Sequence, residues 1–188
     1  MFNEFLIFVP ALLIAITIHE FAHALTADKL GDPTPRLEGR ISLNPLKHLD
    51  PIGTLMLLFF RFGWGKPVPF DPFNLRHPKR DAALISLAGP ASNLILALVC
   101  SFIPSVLVIP LIIMNVNLAV FNLLPVPPLD GAKILYGFLP MSWADEYNDF
   151  MKSYGTILLI LLILPIGGSS LAINLIMPVI NLVTNFLL

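Results

Sequence analysis

From Phe5 to Ile18 the chain carries no charge and a single hydroxyl, Thr17. The run then meets His19-Glu20-Phe21-Ala22-His23 and continues apolar through Ala24 and Leu25. Such a segment has few places to go. A bilayer-spanning helix takes about 20 apolar residues, and Phe5 to Ala27 supplies them. On that helix His19 and His23 stand at i and i+4, one turn apart on one face, where both imidazoles reach a single zinc ion. Glu20 is placed to take a proton from water rather than to bind the metal. Three ionisable groups are costly in hydrocarbon, so this face must turn toward protein or a water-filled cavity. The chemistry implied is hydrolysis within a membrane.

Composition agrees with a membrane setting. Only 12% of the 188 residues are charged and 56% are hydrophobic, with a mean hydropathy of +0.84. Soluble domains carry about a quarter charged residues. The expected class is an all-α integral membrane protein, a single membrane-embedded domain over 1–188. The net charge of −1 excludes the basic footprint of a nucleic-acid binder. The lone Cys100 cannot form an intrachain disulfide and reads as a small buried hydrophobe. Met1-Phe2-Asn3-Glu4 lacks the basic start of a cleavable signal, so the first helix is expected to be retained.

The apolar runs predict a polytopic bundle of about four to six membrane segments, some short or re-entrant. Ile52–Phe60 is too short to cross and reads as half-inserted. Ala82 to about Val108 and Leu111–Leu124 are further spans, punctuated by Pro104 and Pro110. Tyr154 to the C-terminus, broken at Pro165-Ile166-Gly167-Gly168, is either one kinked span or a hairpin. Nine Lys and Arg residues, from Lys29 to Arg80, lie between the first span and Ala82, whereas Glu4 alone precedes it. The positive-inside rule makes that connection cytoplasmic and the N-terminus external. The next two spans go out and return, bringing Pro125–Gly131 to the leaflet of His19 and His23.

A catalytic zinc site usually takes three protein ligands. Asp130 is the candidate third. It follows Pro125, Pro127 and Pro128, which end the preceding helix and are expected to hold the chain extended, and Gly131 is expected to permit a sharp turn. Asp130 could instead cap a helix starting near Ala132. Asp28 and Asp32 read as residues of a solvated loop, and His48 and His77 as surface histidines. Arg36–Leu43 alternates apolar and polar as a strand would, and Gly63–Pro69 is a second extended candidate. Ser86, Pro90, Asn93 and Ala97 form a small or polar stripe suited to helix packing. Asn93 and Asn122 are candidates to hydrogen-bond the substrate backbone, the metal-site loop or the oxyanion.

An H-E-x-x-H in the first span and a later N-x-x-P-x-P-x-L-D-G, read here from Asn122, Pro125, Pro127, Leu129, Asp130 and Gly131, resemble the site-2 protease family of intramembrane zinc metalloproteases. Gly89-Pro90-Ala91-Ser92-Asn93 is similar to its G-P-x-x-N. The resemblance runs from about Phe5 to Gly131 and is to the short branch, without PDZ or nucleotide-sensing domains. It implies one Zn2+ per chain held by His19, His23 and Asp130, with Glu20 as catalytic base. It also implies a small membrane-associated β-hairpin beside the site, transmembrane proteins or peptides as substrates, and a cell-membrane location with the site facing the cytoplasm. The rival readings are a divalent-metal transporter using the same ligands and a protease-like scaffold that binds without cutting. Duplicated halves, the mark of many transporters, are not visible, and Glu20 is intact.

Overall fold

The computed structural model describes residues 2–60, 63–166 and 168–188; Arg61, one of the nine basic residues counted above, and Gly167 lie outside the described residues. The chain is mostly helical. Helix α1 (Phe2–Lys29) packs on α4 (Pro78–Ser101) and α5 (Ile109–Asn122), and α4 also packs on α5 and on α6 (Asp130–Phe138). Two helical stretches, Ile7–Lys29 and Pro78–Ser101, are long and apolar enough to cross a membrane. Helix α5 and α8 (Leu171–Leu187) are shorter, and α3 (Pro51–Phe60), at ten residues, rises only about 15 Å. Large apolar side chains are exposed along the outer faces of the bundle, among them Ile95, Val99, Ile157, Leu175 and Leu182. That is the surface a lipid-facing bundle requires.

Among the described residues the buried apolar side chains form two clusters, the smaller of Ala27, Leu75 and Ile85. Ala97 and Cys100 of α4, Ile112, Val116 and Val120 of α5, and Ala172, Ile176 and Ile180 of α8 form the larger core. Burial of Cys100 agrees with its expected role. The stripe Ser86, Pro90, Asn93 and Ala97 is buried as a packing seam should be. The C-terminal third is a helical hairpin. Helix α7 (Met141–Ile163) and α8 are joined through β1 (Pro165–Ile166) and β2 (Ser169–Ser170), which pair antiparallel with Pro165 opposite Ser170. Its first arm starts at Met141, well before the apolar run at Tyr154.

Several expectations are corrected. Arg36–Leu43 is not a strand: Thr34–Leu37 is a helical turn, α2, with proline in its first positions, and Gly39 at φ +64 ends the turn. Leu37, expected on an apolar strand face, is 81% exposed. Near this region the described residues pair only at an isolated bridge, Leu49 with Gly65, so the expected hairpin beside the site is absent there. The second span ends at Ser101 rather than Val108, because Pro104 disfavours helical geometry in the residue before it. Pro125–Leu129 bends rather than runs extended, with a cis Pro127–Pro128 bond and a Leu129 N–H to Val126 carbonyl bond of 3.0 Å. Asp32 and His48 are fully buried. Asp32 accepts from Thr34, Asn74 and the Asp71 N–H, and His48 Nε2 lies 2.7 Å from the Ser42 carbonyl. Polar loop residues thus tie loops together instead of facing solvent. His77 is exposed, as expected.

Candidate metal centre

Helix α1 carries His19 and His23 on the face that meets α4. Their rings lie 4.6 Å apart, edge to face, and both residues are buried. Each imidazole is held from behind. His19 Nδ1 is 2.6 Å from Asn93 Oδ1, and His23 Nδ1 is 2.7 Å from the Ile85 carbonyl. A carbonyl oxygen can only accept, so Ile85 assigns the proton of His23 to Nδ1. Asn93 is equally fixed, since its Nδ2 donates to the Ala15 carbonyl at 2.9 Å and to Asn115 Oδ1 at 2.7 Å. Its Oδ1 must therefore accept from His19. Asn115 in turn donates to Leu111 on its own helix at 2.8 Å. Asn93 and Asn115 are both fully buried.

With both Nδ1 atoms protonated, both Nε2 atoms turn a lone pair the same way, and Asp130 closes the third side. Its Oδ2 is 3.0 Å from His19 Nε2 and 3.3 Å from His23 Nε2. Ligand atoms of the three residues all lie within 4.8 Å of one another. Two lone pairs and a carboxylate oxygen converge with no donor among them, an arrangement a cation reconciles. The donor set of two imidazoles and a carboxylate, each histidine oriented by a partner on its far nitrogen, fits zinc.

Asp130 arrives by close packing. It is the first residue of α6, with Leu129 as N-cap, so it does not cap a helix at Ala132. Gly131 serves a close approach rather than a sharp turn: a Cβ there would collide with the Leu123 and Leu124 carbonyls at the end of α5. Gly89 plays a similar part on α4. A Cβ at that position would lie 2.5 Å from His23 Nε2 and 2.6 Å from His19 Nε2.

Glu20 is held differently. Its Oε2 accepts from the Val68 N–H at 2.9 Å. Val68 belongs to the irregular connection between α3 and α4, whose Lys66 N–H donates to the His48 carbonyl at 2.7 Å. Of the remaining candidates, Asn93 is brought to the histidines and, being fully buried, is a support for His19. The Asn122 amide donates to the Leu118 carbonyl one turn back on α5, at 2.9 Å, and among the described residues no hydrogen bond joins it to His19, His23 or Asp130. Sequence reading missed Asn115. Helix α5 carries three asparagines, Asn115, Asn117 and Asn122, and nothing in their spacing singles out Asn115.

Comparison with known proteins gives a consistent picture. The Peptidase family M50 profile matches residues 101–165. A protein named "Putative zinc metalloprotease YwhC" from Bacillus subtilis (strain 168) is 38% identical over 186 residues, covering 85% of this chain and 81% of its own length. "Putative zinc metalloprotease Rip2" from Mycolicibacterium smegmatis is 30% identical over 178 residues, covering 85% of this chain and 67% of that protein. The protein of the same name from Mycobacterium tuberculosis (strain ATCC 25618 / H37Rv) is 31% identical over 144 residues, covering 68% of this chain and 55% of its own. No solved structure gives a significant match.

Proposed function

This chain belongs to the site-2 protease family, peptidase family M50, and from that membership we propose that it is a zinc metalloendopeptidase of the membrane. It hydrolyses peptide bonds within or next to transmembrane segments of other membrane proteins. One observation carries the reading: two imidazole nitrogens and the Asp130 carboxylate converge on one point, and the adjacent Glu20 is held separately by the Val68 N–H. His19, His23 and Asp130 hold one zinc ion. Zinc, when bound, supplies Lewis acidity that polarises a peptide carbonyl and acidifies water.

The protein's own groups do the rest. Glu20 accepts the proton of the attacking water and passes it to the leaving amine. Asn93 and the Ile85 carbonyl keep both histidines presenting Nε2. The site lies toward the basic, cytoplasmic end of α1: His19 is ten residues before Lys29, about 15 Å along the helix. A transmembrane substrate must be unwound locally, because helical carbonyls are engaged in i to i−4 bonds. The location is the cell membrane.

The test measures zinc content and cleavage of a reporter protein with one transmembrane helix. His19→Ala, His23→Ala and Asp130→Ala should each lower bound zinc. Glu20→Gln should keep zinc and lose turnover by about 10²- to 10⁴-fold. Full activity in Glu20→Gln would remove the proposed mechanism, and undiminished zinc in Asp130→Ala would reassign the third ligand.

A further inference from the structure

Arg40 is 3% exposed. A buried guanidinium is costly unless its charge is answered, yet among the described residues no carboxylate pairs with it. Two neighbouring carbonyls answer it instead: Nη2 donates to Lys66 at 2.5 Å and Nη1 to Pro67 at 3.1 Å. The next N–H along the chain is that of Val68, the donor to Glu20. Pro67 C=O and Val68 N–H belong to one peptide group. That group is planar and trans, so its carbonyl and its N–H point in opposite directions. Holding the carbonyl on one side therefore aims the N–H on the other.

We propose that Arg40 is a positioning residue for Glu20, acting through the Pro67–Val68 peptide plane. The line runs from guanidinium to carbonyl, through the amide, to the carboxylate. A cation on the carbonyl polarises the amide and strengthens its N–H as a donor. Pro67 and Pro69 stiffen the strap, since each fixes its own φ and confines the preceding residue to extended geometry. With Oε2 held, the direction of the carboxylate is set before substrate arrives.

This inference rests on Glu20 being the proton-transferring group, and its test separates the two ideas. Arg40→Met, Arg40→Lys and Val68→Pro, the last between two prolines and lacking the N–H, are compared with wild type in the full-length protein. Bound zinc, kcat and KM for the single-helix reporter are measured for each. All three should keep wild-type zinc and KM and lose about ten- to a hundredfold in kcat. The double variant Arg40→Met/Val68→Pro should be no slower than the slower single variant, because both act on one bond. Multiplying losses, wild-type kcat in Arg40→Lys, or zinc loss in step with kcat would each overturn the proposal. Activity in Glu20→Gln would instead strike the catalytic reading beneath it. Should Arg40→Met fail to fold, Arg40→Lys combined with Val68→Pro gives the same cycle.

Discussion

The two sides of the site are built from different materials. His19 and His23 are backed by helices: Asn93 and Ile85 on α4, with Asn115 on α5 behind them. Glu20, one residue from His19, is backed by an irregular strap that is fastened by a buried arginine and by the backbone of His48. Helix packing can fix ligands against a metal because a whole apolar seam must move before they do. A strap is fixed by a few bonds and yields locally. Metal binding and turnover should therefore be separable by mutation, and the variants below are ordered by how strongly they test that.

Gly89→Ala should have the largest effect. Alanine improves intrinsic helix propensity by about 1 kcal/mol, yet the new methyl would occupy the space facing both Nε2 atoms. Zinc content should fall to background while the strap and Glu20 stay in place. Stoichiometric zinc in this variant would mean that α4 backs away easily, and the contrast between the two sides would fail.

Next come the amides. Asn93→Ala leaves His19 Nδ1–H without its acceptor in a buried seam, and zinc affinity should weaken about 10- to 100-fold in a competitive chelator titration. Asn115→Ala removes only one of the two acceptors that orient Asn93, so its loss should be smaller. Equal losses at the two positions would show that the pair acts as one unit rather than as a support and its brace.

The smallest effect belongs to Asp32, which anchors the far end of the strap's connection through Asp71 and Asn74. Burial pushes its carboxyl up, but bonds from Thr34, Asn74 and the Asp71 N–H outweigh this and hold it below the ordinary aspartate value of 3.8. A depressed folded-state value stabilises above pH 3.8, and that contribution is lost as pH falls through the folded-state value. Asp32→Asn should cost about 1.5–3 kcal/mol at neutral pH in denaturant unfolding. The difference from wild type should shrink in acid, with little change in bound zinc.

The same contrast marks how much could be read from the sequence. His19, His23 and Asp130 were legible because ligand chemistry restricts residue type and spacing, and proline and glycine flanked the distant aspartate. Their convergence depends on helices whose apolar faces the sequence also displays. Arg40 was not legible, since its partners are carbonyl oxygens, which every residue owns. Its alternating surroundings suggested a strand, but Pro33 and Pro35 start a helical turn that overrides the alternation. Asp32 and His48 were misjudged for a related reason. Polar residues in a basic loop look solvated until the loop is seen to fold onto itself.

The hydrogen bonds behind the two histidines bear on the order of events during biogenesis. Groups that never touch the ion already set both tautomers and both ring planes. The chain thus completes its geometry when α1, α4, α5 and α6 assemble, and loading follows as a separate, bimolecular encounter. Chelation should then empty the protein without unfolding it, unlike small domains whose fold exists only around the ion.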